Sequence, residues 1–281
     1  PDVIKEYFQR NFAEKIPIDS DNLNLDIKNK LEKMPNIDFG NEIIATRKAF
    51  GMTLDKMAQH IPEIVGGSAD LDGSNCTTNF ANTYGDFSSS NPEGRNIAFG
   101  VREFPMGAIL NGISLHGGLI PFGGTFLAFS DYVKSAIRLS AIQKLHVLYE
   151  FTHDSIFVGE DGPTHQPVEH LPSLRAIPNL NVFRPADTTE TAECWSLAIK
   201  SKGPSIIALS RQGCPHLRNT FEEKNKSSLG AYEIKSSDGE AQVNLIATGS
   251  EVSLAVEVHE ELKNDGINSR VVSSPSFELL N

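Results

Sequence analysis

Thr152-His-Asp-Ser-Ile-Phe-Val-Gly-Glu-Asp-Gly-Pro-Thr-His-Gln-Pro167 follows directly on the mostly apolar run 145–151. A β-rich run that gives way to a polar, glycine-containing loop puts the loop's side chains at the carboxyl end of a strand. In parallel α/β sheets, ligands bind at that edge. The loop carries two histidines and three carboxylates. His153 and His165 are the groups suited to proton transfer near neutral pH. One loop histidine is most often merely solvated; this density of groups at a strand end points to a site.

Outward from the loop, helical and extended patterns alternate. Periodicity predicts helices over 42–61, 103–115 and 126–143, and strands over 63–65, 96–99 and 145–151. A strand over 181–183 closes at Pro185, and Asp187-Thr-Thr-Glu190 has the form of a capping box opening a helix to about residue 200. A further strand covers 205–209. The βαβα order implies a parallel sheet with right-handed crossovers. After a polar, irregular stretch, strands at 230–235, 243–247 and 269–272 and a helix at 252–264 begin a second α/β unit. Residues 1–40 open with an amphipathic stretch, 3–15, and continue rich in Asp and Asn to Pro35. The expected organisation is an arm over 1–40, an α/β domain over 41–211, a linker over 212–229 and an incomplete second α/β domain over 230–281. The chain begins at Pro1 and stops at Asn281 in a sequence that looks cut, so it is expected to be a piece of a longer polypeptide.

The 281 residues carry a formal charge of −11 with no basic stripe, which argues against nucleic acid as a partner. An anionic ligand then needs a locally basic pocket. Cys76, Cys194 and Cys214 are odd in number and lack CxxC spacing, so they are expected to be reduced thiols in a cytoplasmic setting. No apolar run approaches the ~18 residues of a membrane span and no signal peptide opens the chain, so neither a membrane nor an export role is expected.

Several side chains could carry chemistry. Glu103 sits where a helix begins, a position that suits the helix dipole and equally a half-buried acid with a raised pKa. Phe126, Phe129 and Tyr132 recur every three residues along the helix expected over 126–143, as core or as flat walls for an aromatic ligand. Gly123 and Gly124 before them permit close backbone approach. Arg47, Ser74 and Arg211 come from separate segments and, with His153, could converge as a phosphate site. His153, Asp161 and His165 match no zinc spacing, so no metal ligand is assigned. His60, His116, His146, His170, His216 and His259 receive no chemical role.

The 152–167 loop closely resembles the signature loop of transketolases, thiamine-diphosphate enzymes that move two-carbon ketol units between sugar phosphates. Ile44-Ala-Thr-Arg-Lys48, Gly66-Gly-Ser-Ala-Asp-Leu71, Gly100-Val-Arg-Glu103 and Gly123-Gly-Thr-Phe126 extend the resemblance from about residue 40 to the end. Phe157 stands where the family usually has glycine, and Gly73-Ser74-Asn75 where it usually has Pro-Ser-Asn. The resemblance implies a parallel-sheet, helix-flanked pyrimidine-binding domain followed by the start of the family's C-terminal domain. It places Glu103 against N1′ of the cofactor's aminopyrimidine, so that the imino tautomer can remove the thiazolium C2 proton. It makes Phe126, Phe129 and Tyr132 the wall around that ring. Arg47, Ser74, His153 and Arg211 would bind substrate phosphate, Asp161 a substrate hydroxyl, and His165 would bind a hydroxyl and move protons.

The resemblance further implies a cytoplasmic homodimer of the pentose phosphate pathway, with sugar-phosphate substrates and the cofactor at the subunit interface. The family holds the diphosphate through Mg2+ or Ca2+ with a Gly-Asp-Gly motif. This chain has none, so that anchor is expected mainly in a domain absent from it. The chain alone is therefore expected to be inactive. The rival readings are a non-catalytic cofactor-binding or dimerisation module, and a related thiamine enzyme such as dihydroxyacetone synthase or phosphoketolase.

Overall fold

A computed structural model describes residues 29–30, 37–40, 42–218 and 224–280. The amphipathic stretch 3–15 and most of the expected arm lie outside the described residues. Strand β1 (Ile44–Ala45) leads into helix α1 (Thr46–His60), and β2 (Ile64–Ser68) is followed by the short helices α2 (Asp72–Asn75) and α3 (Thr78–Tyr84). Helix α4 (Glu103–His116), β3 (Ile120–Phe126), α5 (Ser130–Gln143) and β4 (Leu148–Thr152) come next. Then follow α6 (His170–Arg175), β5 (Asn181–Phe183), α7 (Thr188–Lys200), β6 (Ser205–Leu209) and β7 (Gly213–Cys214). The last elements are β8 (Tyr232–Lys235), β9 (Val243–Ala247), α8 (Glu251–Asn264) and β10 (Ser269–Ser273).

Five strands form one sheet in the order β2-β3-β4-β6-β5, every neighbouring pair parallel. Both faces of such a sheet must be covered, which explains why β3, β4 and β6 are buried at every position. On one face Phe50 and Leu54 of α1 and Trp195 of α7 pack with Phe122, Leu148 and Ile207. On the other, Met106 and Leu110 of α4 and Val133 and Ile137 of α5 pack with Tyr149, Phe151 and Ile206. The alternation along β4 therefore turns Glu150 and Thr152 to the same face as Leu148.

The parallel α/β class is as expected, but three elements differ from the sequence reading. The segment 126–143 is not one helix: Phe126 closes β3, Leu127–Phe129 makes a single 3-10 turn, and α5 starts at Ser130. Gly123 and Gly124 belong to that strand because neighbours press on it. A Cβ at Gly123 would lie 2.5 Å from Leu110 Cδ1, and one at Gly124 would lie 2.9 Å from both Asn75 Nδ2 and Glu150 Oε2. The stretch 96–99 forms only the isolated bridges of Asn96 with Gly66 and Asp86. Helix α1 begins at Thr46 because Ile44 and Ala45 pair antiparallel with Cys214 and Gly213. The expected capping does form, with Asp187 Oδ1 accepting from Glu190 N at 2.8 Å, while Glu190 Oε2 accepts from Ala186 N at 2.7 Å.

The smaller sheet runs β8-β10-β9, with β10 parallel to β9 and antiparallel to β8. Two buried polar clusters fasten it to the larger one. Glu190 Oε1 accepts from Tyr232 Oη and Ser273 Oγ, each at 2.6 Å. Arg184, at the end of β5, donates from Nε to Asp154 Oδ2 at 2.8 Å and from Nη1 to the Thr248 carbonyl at 2.8 Å and to Glu251. Among the described residues no helix is long and apolar enough to cross a membrane.

Candidate active site

The carboxyl ends of β2, β3, β4 and β6 deliver the candidate residues to one edge of the sheet. Phe126 is the last residue of β3, His153 follows β4, Arg211 lies two residues past β6, and Ser74 sits in α2 just after β2. His153 adopts φ 61°, a left-handed conformation uncommon outside glycine, and the following Asp154 N donates to the Leu209 carbonyl at 3.2 Å. That turn lays the imidazole on Phe126, with ring centroids 3.8 Å apart and planes 23° from parallel.

The aromatic series continues from there. Phe126 stacks on Phe129 at 5.5 Å and 9°, and Phe129 meets Tyr132 at 5.9 Å and 42°. His165, in the 3-10 turn Pro163–His165, stands edge-on to Phe126 at 5.7 Å and to Phe129 at 5.1 Å. The triad spacing is thus produced by a strand end, a 3-10 turn and a helix start. Tyr132 remains 64% exposed, leaving this wall open on its outer side.

The polar groups gather around His153. Burial first, then the nearby Arg47 charge, pushes its pKa down to about 4; Arg211 and His165 act in the same direction and Asp161 opposes them. The ring is consequently neutral at physiological pH, a hydrogen-bonding group with no charge of its own. Arg47 Nη1 donates to the Ser74 carbonyl at 2.6 Å, which ties α1 to α2, while Arg47 Nε is buried with no partner among the described residues. Arg211 pairs with the exposed Glu160 at 3.2 Å. Two guanidiniums flanking a neutral imidazole make a locally basic pocket in an acidic chain.

Glu103 is the first residue of α4 and is buried, 8% exposed. Its helix lies on β3, with Met106 and Leu110 against Gly123. Among the described residues no hydrogen bond or ion pair ties up the Glu103 carboxylate, and none joins it to the His153 cluster. The rings, His165, Arg47, Arg211 and Asp161 are brought together around His153; Ser74 joins them through Arg47.

Some structural groups escaped the sequence reading. Asn75 and Thr152 link β2 and β4 beneath the site. Glu150 is wholly buried, neither oxygen has a hydrogen-bond partner among the described residues, and burial followed by the Asp72 charge holds its carboxyl well above the usual range. An acid inside an otherwise apolar strand was the available signal. His170, given no role, pairs through Nε2 with Asp131 Oδ2 at 3.2 Å and ties the start of α6 to α5; with Glu169 they bring ligand atoms within 4.8 Å of one another.

The sheet order places these side chains at strand carboxyl ends around an open aromatic wall, which is where parallel α/β domains bind ligands. Residues 42–216 match the transketolase pyrimidine-binding domain, and residues 230–281 the transketolase-like C-terminal domain. The chain belongs to the transketolase family. It is 53% identical over 237 residues to a transketolase of Sinorhizobium medicae, covering 84% of this chain and 34% of that protein. A transketolase from Pichia stipitis, solved in complex with sedoheptulose 7-phosphate, superposes with a TM-score of 0.85 at 40% identity, covering 99% of this chain and 43% of that one. A split-gene transketolase chain described as an inactive β4 tetramer superposes with a TM-score of 0.69 at 32% identity, covering 84% of this chain and 73% of that one. The chain spans about two fifths or less of the length of curated relatives such as those of S. medicae and Bacillus subtilis.

Proposed function

We propose that this chain supplies the pyrimidine-side half of the thiamine diphosphate site, and most of the substrate contacts, of a transketolase. The complete protein would transfer a two-carbon ketol unit from a ketose phosphate to an aldose phosphate in the pentose phosphate pathway. The observation that carries the reading is the stack His153–Phe126–Phe129–Tyr132, flanked by Arg47 and Arg211 at the carboxyl edge of the sheet. Flat walls open on one side suit an aminopyrimidine ring, and a buried carboxyl with no partner among the described residues suits its N1′. When bound, the cofactor supplies a nucleophilic thiazolium carbon able to cleave and re-form the bond beside a ketone.

Within this scheme Glu103 holds a proton at the ring nitrogen, and Phe126, Phe129 and Tyr132 orient the ring. Arg47, Ser74, His153 and Arg211 receive the substrate phosphate, Asp161 reads hydroxyl stereochemistry, and His165 binds a hydroxyl and moves protons. The cofactor diphosphate and its Mg2+ or Ca2+ are assigned to a complementary domain carrying Gly-Asp-Gly, a motif this sequence lacks. We assign the pyrimidine-binding unit to 41–211, a linker to 212–229 and the C-terminal unit to 230–281. The family resemblance supports a homodimer with the cofactor between subunits. The free Cys76, Cys194 and Cys214 support a reducing, cytoplasmic setting.

The inactive split-gene tetramer supports reading this chain, taken alone, as a non-catalytic half. The test is a coupled assay of the full-length protein with xylulose 5-phosphate and ribose 5-phosphate, thiamine diphosphate and Mg2+. Transfer by the full-length protein and none by this chain is expected. No transfer by the full-length protein, or equal efficiency with unphosphorylated acceptors, overturns the assignment.

A further inference from the structure

Glu150 lies at the centre of β4, in register with Gly124 of β3 and Ile207 of β6, and none of its surface is exposed. The missing side chain at Gly124 makes room for it, since a Cβ there would stand 2.9 Å from Glu150 Oε2. Helix α2, which carries Ser74, covers this part of the sheet. Asn75 of that helix presses on the same glycine but is held elsewhere. Its Nδ2 donates to Ser68 Oγ at 2.8 Å, and its Oδ1 accepts from Thr152 Oγ1 at 2.9 Å. Among the described residues neither Glu150 oxygen has a hydrogen-bond partner, and no ion pair joins it to Arg47.

An ionised carboxylate enclosed in this way has lost its water and gained no donor, so the neutral acid is the resident state. The surrounding charges act in the same sense overall. Burial and then Asp72 of α2 favour the protonated form, and Arg47 of α1 opposes them. The remaining titratable neighbour is the Cys76 thiol, raised chiefly by burial, against Arg47 and with a contribution from Glu150. Arg47 connects this acid to the site. Its Nη1 is fixed on the Ser74 carbonyl at 2.6 Å, and its charge acts both on Glu150 and on His153 at the sheet edge. A neutral Glu150 leaves that charge to an anion at the edge. An ionised Glu150 would cancel part of it and also repel the anion, so both effects run in one direction.

We propose that Glu150 is a positioning residue acting through Arg47: as a buried neutral acid it keeps the guanidinium charge available to the substrate phosphate, and on losing its proton it weakens phosphate binding. The proposal rests on the phosphate reading of Arg47, Ser74, His153 and Arg211; the protonation of Glu150 does not. Linkage makes the effect reciprocal, so a bound phosphate strengthens the hold of Glu150 on its proton.

The test follows ribose 5-phosphate binding to the full-length protein by calorimetry from about pH 7 to about pH 9.5. A phosphate monoester, with its second pKa at about 6, is already dianionic over that window, so its own titration does not intrude. The wild-type Kd should rise about 5-fold or more across the window, and that of Glu150→Gln should stay within about 2-fold, the two agreeing at pH 7. Glu150→Met, equally uncharged, should match Glu150→Gln. KM for an unphosphorylated ketose should not separate the three proteins. The infrared difference spectrum between wild type and Glu150→Gln should hold the carbonyl band of a protonated carboxyl at neutral pH, weakening in alkali and recovering when ribose 5-phosphate is added. A carboxylate in place of that band, tighter ribose 5-phosphate binding by Glu150→Gln at pH 7, or superimposable pH profiles, overturns the proposal. The same differences in a protein that transfers no ketol unit uphold it and defeat the transferase reading instead.

Discussion

Replacing Arg184 with Met should uncouple the two sheets and destabilise the chain by about 4 kcal/mol. Arg184 is 5% exposed and its partner Asp154 4%. Removing one member of a buried ion pair leaves the other unpaired, at a cost of about 3–5 kcal/mol. The Glu251 contact adds little, about 1 kcal/mol or less, because that side chain is 36% exposed. Burial works against the Arg184 charge, but Asp154 and Glu251 more than offset it and raise its pKa. Burial raises the Asp154 carboxyl despite Arg184, and Asp154 Oδ1 has no hydrogen-bond partner among the described residues. Without the guanidinium that carboxyl rises further, so the stability lost on substitution should shrink in acid and grow as pH rises. The assay is urea denaturation followed by the fluorescence of Trp195, the single tryptophan, fully buried between α7 and the sheet. Arg184→Met combined with Asp154→Asn should recover about 2 kcal/mol of the loss, since the pair is coupled. A loss below about 1 kcal/mol for the single variant, or no recovery in the double, refutes the reasoning.

Three further outcomes follow from the geometry. Burial, then Asp187, raises the Glu190 carboxyl to about 7, against hydrogen bonds from Ser273, Tyr232 and Ala186. A raised folded-state pKa means stability is full below the unfolded value and falls as pH climbs through the folded one. Glu190→Gln should therefore remove roughly 3 kcal/mol of stability loss between about pH 4.5 and 7, read from denaturation midpoints across that window. Gly124→Ala should cost about 1–3 kcal/mol, because its methyl group meets Asn75 and Glu150; calorimetry checks it, and an unchanged Tm contradicts the packing. Tyr132→Ala should leave folding stability within about 0.5 kcal/mol, as the ring is 64% exposed, while weakening thiamine diphosphate binding by the full-length protein several-fold in a titration.

The sequence exposed the features that local chemistry determines. The strand before the 152–167 loop, the Asp187 cap, the 181–183 and 205–209 strands and the clustering of His153 with His165 all rest on adjacent residues. Strand β3 was hidden because Gly123 and Gly124 carry no strand signal of their own, while Leu110, Asn75 and Glu150 press on them from other elements. Strand β1 was hidden for the same reason, its partners Gly213 and Cys214 lying far along the chain. Asn75, Thr152 and Arg184 acquire their roles only when α2, β4 and the second sheet meet, and no spacing announces such a meeting. The regular interval of Phe126, Phe129 and Tyr132 suggested a helix face, yet three different backbone conformations deliver the same aromatic wall.

The central claim is that Glu103, buried at the start of α4, serves the cofactor's pyrimidine ring. Hydrogen–deuterium exchange at thiazolium C2 of thiamine diphosphate bound to the full-length protein reads that role directly. Glu103→Gln should slow the exchange by about 100-fold or more while the cofactor still binds. Exchange at the wild-type rate in that variant would contradict the account.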